Sequence, residues 1–134
     1  MVRDGKSITA SAQQSEKFDV IIVGAGISVI GSATFLRKHC PHLSFAILEA
    51  LEGHGGTWLI HKYPGTRSDS DLFTFGYSFK PWTGQPIASR DQILDYLGDA
   101  IADAGLGPFI RYGHSVTSAD WSSETASWRL TVER

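Results

Sequence analysis

Phe18-Asp19-Val20-Ile21-Ile22-Val23 runs directly into Gly24-Ala25-Gly26, and this junction constrains the fold more than any other stretch of the chain. A short β-branched run suits a strand buried on both faces, as in parallel sheets. The glycines that follow permit a tight turn. Ile27 to about His39 then reads as a helix, apolar nearly all round through Ile27, Val29, Ile30, Ala33, Phe35 and Leu36, and it ends before Pro41. Ser44-Phe45-Ala46-Ile47-Leu48-Glu49 is a second apolar run that closes on an acid. Strand, helix and strand within 32 residues predict a βαβ unit with parallel strands and a right-handed crossover. The expected fold class is α/β, a Rossmann-like dinucleotide-binding domain.

The rest of the chain divides into three stretches. Ala50 to Gln85 is rich in Gly, Pro and aromatic residues and reads as irregular. Ser89-Arg90-Asp91-Gln92 has the form of a capping box, and the helix behind it places Ile93, Leu97, Ala100, Ile101 and Ala104 on one face before stopping at Gly105. Val116–Trp121 and Trp128–Val132 read as a C-terminal β-hairpin around the polar turn Ser122–Ser127. Met1 to Lys17 has no periodic apolar positions to bury and reads as a disordered tail, which leaves 18–134 as the folded domain.

The first turn carries the chemistry. Gly24-Ala25-Gly26-Ile27-Ser28-Val29 sits where a G-x-G-x-x-G fingerprint belongs, between a buried strand and a helix N-terminus. There the first glycine allows the turn, the second lets backbone approach a pyrophosphate, and the helix end offers free N–H groups and a positive dipole. Glu49 lies 20 residues beyond Val29, at the end of the second strand, where an acid bonds ribose hydroxyls. A carboxylate there repels a 2′-phosphate and so favours the adenosine of FAD or NAD over that of NADP.

Val29 departs from the fingerprint, whose third glycine normally lets helix and strand pack closely. Gly31 cannot replace it, because two residues on is about 200° around the helix. Valine is therefore expected to hold the helix outward and weaken binding, so that Val29→Gly would tighten FAD binding and raise thermal stability.

Composition excludes several other classes. A net charge of -2 gives no electrostatic reason for nucleic acid or an anionic membrane as partner. The single cysteine, Cys40, allows no internal disulfide, and no apolar stretch approaches the roughly 18 residues needed to span a bilayer, so a cytoplasmic location is the expectation. His39, His42, His54, His61 and His114 show no metal-ligand spacing with Cys40, and no metal site is expected. The serines lack a G-x-S-x-G elbow, which disfavours a hydrolase.

After Glu49 come Gly55-Gly56-Thr57-Trp58 and then Tyr63-Pro64-Gly65-Thr66-Arg67-Ser68-Asp69-Ser70-Asp71. With the glycine turn, these stretches resemble the class B flavoprotein monooxygenases, in particular the Baeyer–Villiger group, from Phe18 to about Glu133. The resemblance implies that Gly24, Ala25, Gly26, Ile27 and Ser28 line the pyrophosphate of FAD and that Glu49 meets the adenine ribose. It places Gly56, Thr57 and Trp58 on a flavin-side loop, Arg67 and Asp69 near the isoalloxazine, and the Val116 backbone at the adenine. Trp58 is equally read as core packing, and Asp69 as a turn residue. Asp69 could alternatively support a catalytic arginine, which these residues do not contain. By resemblance the family uses NADPH and oxygen to oxygenate ketones or sulfur compounds, through a second glycine fingerprint that is also not found here. The domain is thus expected to be incomplete relative to the family and inactive alone, with a complementing chain as a possible source of the remainder. Two other readings stay open: a non-catalytic adenine-nucleotide-binding or interaction module, and a fragment of an NAD-dependent dehydrogenase. The second of these gives the GGTW and YPG-x-R-x-D stretches no role.

Overall fold

A computed structural model describes residues 14–134. The βαβ unit forms as expected, from β1 (Val20–Val23), α1 (Ile27–His39) and β2 (Phe45–Leu48). All four residues of β2 are buried, because β2 is the middle strand of a parallel sheet in the order β1-β2-β3. Its β1 partner is in register from Val20 opposite Phe45 to Val23 opposite Leu48. Asp19 fastens the two strands at their start, its carboxylate accepting from the Ser44 amide at 2.8 Å and the Ser44 hydroxyl at 2.7 Å.

The third strand was not expected. β3 (Ile110–Arg111) has only two residues, too few for any periodicity, and pairs in parallel with Ile47 and Leu48. It follows α4 (Arg90–Asp103) and a 3-10 turn over Gly107–Phe109. The stretch expected to be irregular also contains two four-residue helices, α2 (Thr57–Ile60) and α3 (Leu72–Phe75). The capping box forms as read, with Ser89 and Gln92 bonding reciprocally.

One apolar core joins these parts. Ile30 and Ala33 of α1, Phe45 and Ile47 of β2, and Ile93, Tyr96, Leu97 and Ala100 of α4 meet in it, with Leu72, Leu106 and Ile110. Burying a full aliphatic side chain is worth about 1.5–3 kcal/mol, so this shared core holds α1 and α4 against the same side of β2. Phe35 lies outside it, exposed, with its ring edge-on to Phe79 at 5.5 Å. The segment expected to be a tail is described only from residue 14, where Glu16 makes a two-point ion pair with the Arg111 guanidinium.

The hairpin stands apart from the parallel sheet as a two-stranded unit, β4 (Ser115–Ser122) and β5 (Ser127–Glu133). Its register pairs Val116 with Val132, Ala119 with Leu130 and Trp121 with Trp128, with a bulge between Val116 and Ser118. The two indole rings lie 5.4 Å apart and are both exposed. Among the described residues no helix is long and apolar enough to cross a membrane.

Candidate nucleotide site

Gly24 leaves β1 at φ +98°, a conformation that side chains rarely adopt, and turns the chain back toward the sheet. The Gly24 amide still donates to Leu48 O at 2.7 Å, so the turn starts from the sheet itself. Gly26 then caps α1 in an extended conformation, with no side-chain acceptor for the first-turn amides. Ile30 N bonds Gly26 O at 3.1 Å, which leaves the amides of Ile27, Ser28 and Val29 without partners in the helix. Unpaired amides and the aligned peptide dipoles make this helix end attractive to an anion. Ser28 is exposed beside them, and its hydroxyl is left free, since only its carbonyl is used, by Ser32.

Glu49 sits directly behind the turn. Only 7% of it is exposed, yet it has ordinary partners: Oε2 accepts from the Ala25 amide at 2.6 Å and Oε1 from the Leu51 amide at 2.8 Å. The acid thus holds the glycine turn against the end of β2, a structural task that spacing alone did not reveal. Each carboxylate oxygen still keeps acceptor capacity for a hydroxyl. The Glu49 backbone is fixed too, by Arg111 O at 3.0 Å and His114 N at 2.8 Å. These bonds extend the β2–β3 pairing toward the hairpin, where Val116 follows two residues later, half-buried. Tyr112 lies nearby, its hydroxyl pushed up by burial and, secondarily, by the Glu49 charge.

A second loop closes on the first. Gly55 N donates to Ala25 O at 2.9 Å, and a Cβ on Gly56 would stand 3.2 Å from the Gly26 Cα. Backbone is packed on backbone here, which only glycines allow. From this contact α2 departs with Gly56 as its cap, Thr57 exposed and Trp58 packed, half-buried, against the core. The core-packing reading of Trp58 therefore agrees with its position.

Arg67 and Asp69 lie elsewhere in the local network. The strand-like segment 66–68 bonds to 88–90, with Arg67 bridged to Ser89, Ser68 N to Ala88 O at 2.9 Å and Arg90 N to Thr66 O at 2.9 Å. Both side chains are exposed, and among the described residues Asp69 pairs with no cation; its carboxylate accepts only from Ser70 Oγ at 3.4 Å. The bonds between the turn, Glu49 and the Gly55–Gly56 loop do not reach them.

At Val29 the structure shows an ordinary contact where crowding was expected. The helix begins at Ile27 with its ladder intact, and Val29 is half-buried against the core. The reason is local: Val29 lies over Gly24, and even a Cβ built there would be 3.8 Å from Val29 Cγ2, an ordinary contact. No group of three or more His, Cys, Asp or Glu able to hold a metal occurs among the described residues.

A parallel βαβ unit, an open helix start over a glycine turn and a buried acid ending β2 define a dinucleotide-binding fold of the Rossmann type. The comparisons narrow the class. FAD-containing monooxygenase EthA of Mycolicibacterium smegmatis is 49% identical over 120 residues, 89% of this chain and 24% of that protein. The probable FAD-binding monooxygenase AlmA of an Acinetobacter species is 47% identical over 119 residues, 88% of this chain and 24% of that protein. Among solved structures, a steroid monooxygenase bound to NADP superposes with a TM-score of 0.80 at 31% identity, over 87% of this chain and 23% of that one. Cyclohexanone monooxygenase bound to ε-caprolactone gives 0.79 at 28% identity, over 87% and 24%. No protein-family profile matches the chain. In sequence and in fold the chain is similar to FAD-containing monooxygenases, and it spans about a quarter of the length of the relatives it matches.

Proposed function

We propose that this chain supplies the FAD-binding part of a flavin-dependent monooxygenase, with Gly24, Ala25, Gly26, Ile27 and Ser28 around the pyrophosphate and Glu49 at the adenine ribose. The observation that carries this reading is the Glu49–Ala25 bond, which aims the turn so that the unpartnered amides of α1 and a buried carboxylate share one edge of the sheet. The residues fit such a group: donors stand free where an anion would sit, and the Gly26–Gly56 contact forms a backbone cradle that a Cβ would crowd. Glu49 would accept from ribose hydroxyls, and a 2′-phosphate would meet its charge. Gly56, Thr57 and Trp58 extend the reading along the loop beside the turn, and the Val116 backbone extends it toward the adenine. Arg67 and Asp69 complete it on the flavin side, where Asp69 has the free carboxylate needed to hold an arginine.

FAD supplies the redox chemistry when bound, and the protein's part is to bind, orient and exclude water. For the whole protein we read NADPH- and oxygen-dependent oxygenation of a ketone or a sulfur compound. Likeness to a cyclohexanone monooxygenase that binds ε-caprolactone and to a steroid monooxygenase that binds NADP supports this. The 134 residues carry one glycine fingerprint, so turnover is expected to need residues outside them, on the same polypeptide or on a complementing chain. A cytoplasmic location belongs to the same reading and rests on the lone cysteine.

Titration of the purified protein with FAD and with ADP-ribose, followed by calorimetry and visible absorbance, tests the reading. Saturable binding of both with a perturbed flavin band supports it. Binding of ADP-ribose without flavin uptake would replace it with the adenine-nucleotide module, and binding of neither would end both.

A further inference from the structure

Tyr77 reaches the nucleotide site from outside it. Its hydroxyl donates to the carbonyl of Ile27, the first residue of α1. Its ring rests on α1 at Gly31, where an added Cβ would come within 2.9 Å of the Tyr77 Cε1. The tyrosine is itself held from two sides. Its own amide donates to the Tyr96 hydroxyl at 2.8 Å, and that hydroxyl in turn donates to Lys80 O at 2.6 Å. Its ring stacks on Phe79 at 4.6 Å and on Tyr96 at 5.6 Å. Tyr96 belongs to α4, so one aromatic side chain links the well-capped helix to the first turn of the open one.

We propose that Tyr77 is a positioning residue for the nucleotide site, fixing the N-terminus of α1 against α4 through the Ile27 carbonyl and the bare Gly31 face. This rests on the reading of the α1 start as the pyrophosphate site, and it explains why that start stays in place without a side-chain cap. Gly31 takes on this face the role that the fingerprint gives its third glycine on the other: it lets a neighbour approach the helix axis closely. Burial pushes the Tyr77 hydroxyl far above its ordinary range, so it remains a donor at any physiological pH.

The test separates positioning from general stability by the ligand used. Tyr77→Phe keeps the ring and removes the bond, and it is expected to weaken ADP binding roughly two- to tenfold, the range of one hydrogen bond. Binding of adenosine, which carries no phosphate to meet the α1 amides, is expected to stay within twofold. Gly31→Ala, which displaces the ring, should show the same selective loss, and the loss should vanish in a Tyr77→Ala background because the two then share one cause. Equal weakening of ADP and adenosine, or no change in either, overturns the positioning role while leaving the nucleotide site standing. If the unmodified protein binds neither ligand, the site reading fails and the positioning role falls with it.

Discussion

Helix α4 begins on Ser89, whose hydroxyl takes the Gln92 amide at 3.3 Å while the Gln92 side chain takes the Ser89 amide at 2.9 Å. Helix α1 begins on Gly26 and has nothing of the kind, no capping side chain and no acid in its first turn. The same four orphan amides exist at the start of any helix. In α4 Ser89 and Gln92 satisfy two of them and Thr66 O takes the Arg90 amide at 2.9 Å, so the helix end is largely closed. In α1 the side chains are withheld, the amides face outward, and the helix is steadied instead by its surroundings: Glu49 through Ala25, the Gly55–Gly56 loop, and Tyr77. A closed start contributes to stability, while an open one keeps its donors for a ligand and must be supported from outside.

Substitutions that collapse this contrast should have graded effects. The largest is expected for Gly55→Ala. Gly55 has φ +124°, and its Cβ would meet Leu94 Cδ2 at 2.3 Å and the Leu59 amide at 3.3 Å, so roughly 2–4 kcal/mol of stability should be lost in urea unfolding. Nucleotide binding should go with it, since the Gly55 bond to Ala25 is part of the outside support of α1. Unchanged unfolding would show that the loop relaxes freely and props nothing. Next comes Glu49→Ala, which orphans the Ala25 and Leu51 amides and removes the ribose acceptor. Affinity for ADP-ribose should fall by about 1.5–3 kcal/mol; an unaltered dissociation constant in calorimetry would take Glu49 out of the site.

Ser89→Ala opens the closed helix. It should cost about 1 kcal/mol of stability and leave ADP-ribose affinity untouched. A parallel drop in affinity would mean that the two helix ends are not independent. The smallest effect is expected for Val29→Gly, and its sign reverses the one that the fingerprint alone suggests. Because Val29 is half-buried and unstrained over Gly24, glycine should lower stability by about 0.5–1 kcal/mol, from helix propensity and lost burial, with affinity unchanged. A higher melting temperature for the glycine form would restore the overpacking view.

The sequence makes the βαβ core legible for a physical reason: a β-branched run, a glycine pair and an apolar helix are all local signals. The capping box at Ser89 is legible in the same way. What stayed hidden depends on residues distant in the chain. β3 is two residues long and exists only because β2 offers Ile47 and Leu48 as partners. The Gly26–Gly56 contact and the Tyr77–Ile27 bond join positions that no local pattern connects. Glu49 was found by spacing, but its grip on Ala25 was not, because spacing carries no information about direction. The Val29 expectation weighed position 29 alone, while its contact with Gly24, which carries no crowding, depends on both residues.

The paired indoles of the hairpin have an optical consequence. Trp121 and Trp128 face each other across β4 and β5 at 5.4 Å with their planes tilted by 57°. Two identical chromophores that close and skewed couple their transitions and split them into a circular-dichroism couplet. Trp58, packed on the core, and Trp82, bonded to Gln85 O at 2.7 Å, have no indole partner among the aromatic contacts described. The couplet therefore reports the hairpin alone, and its loss on heating can be timed against the melting of the parallel sheet in a single unlabelled sample.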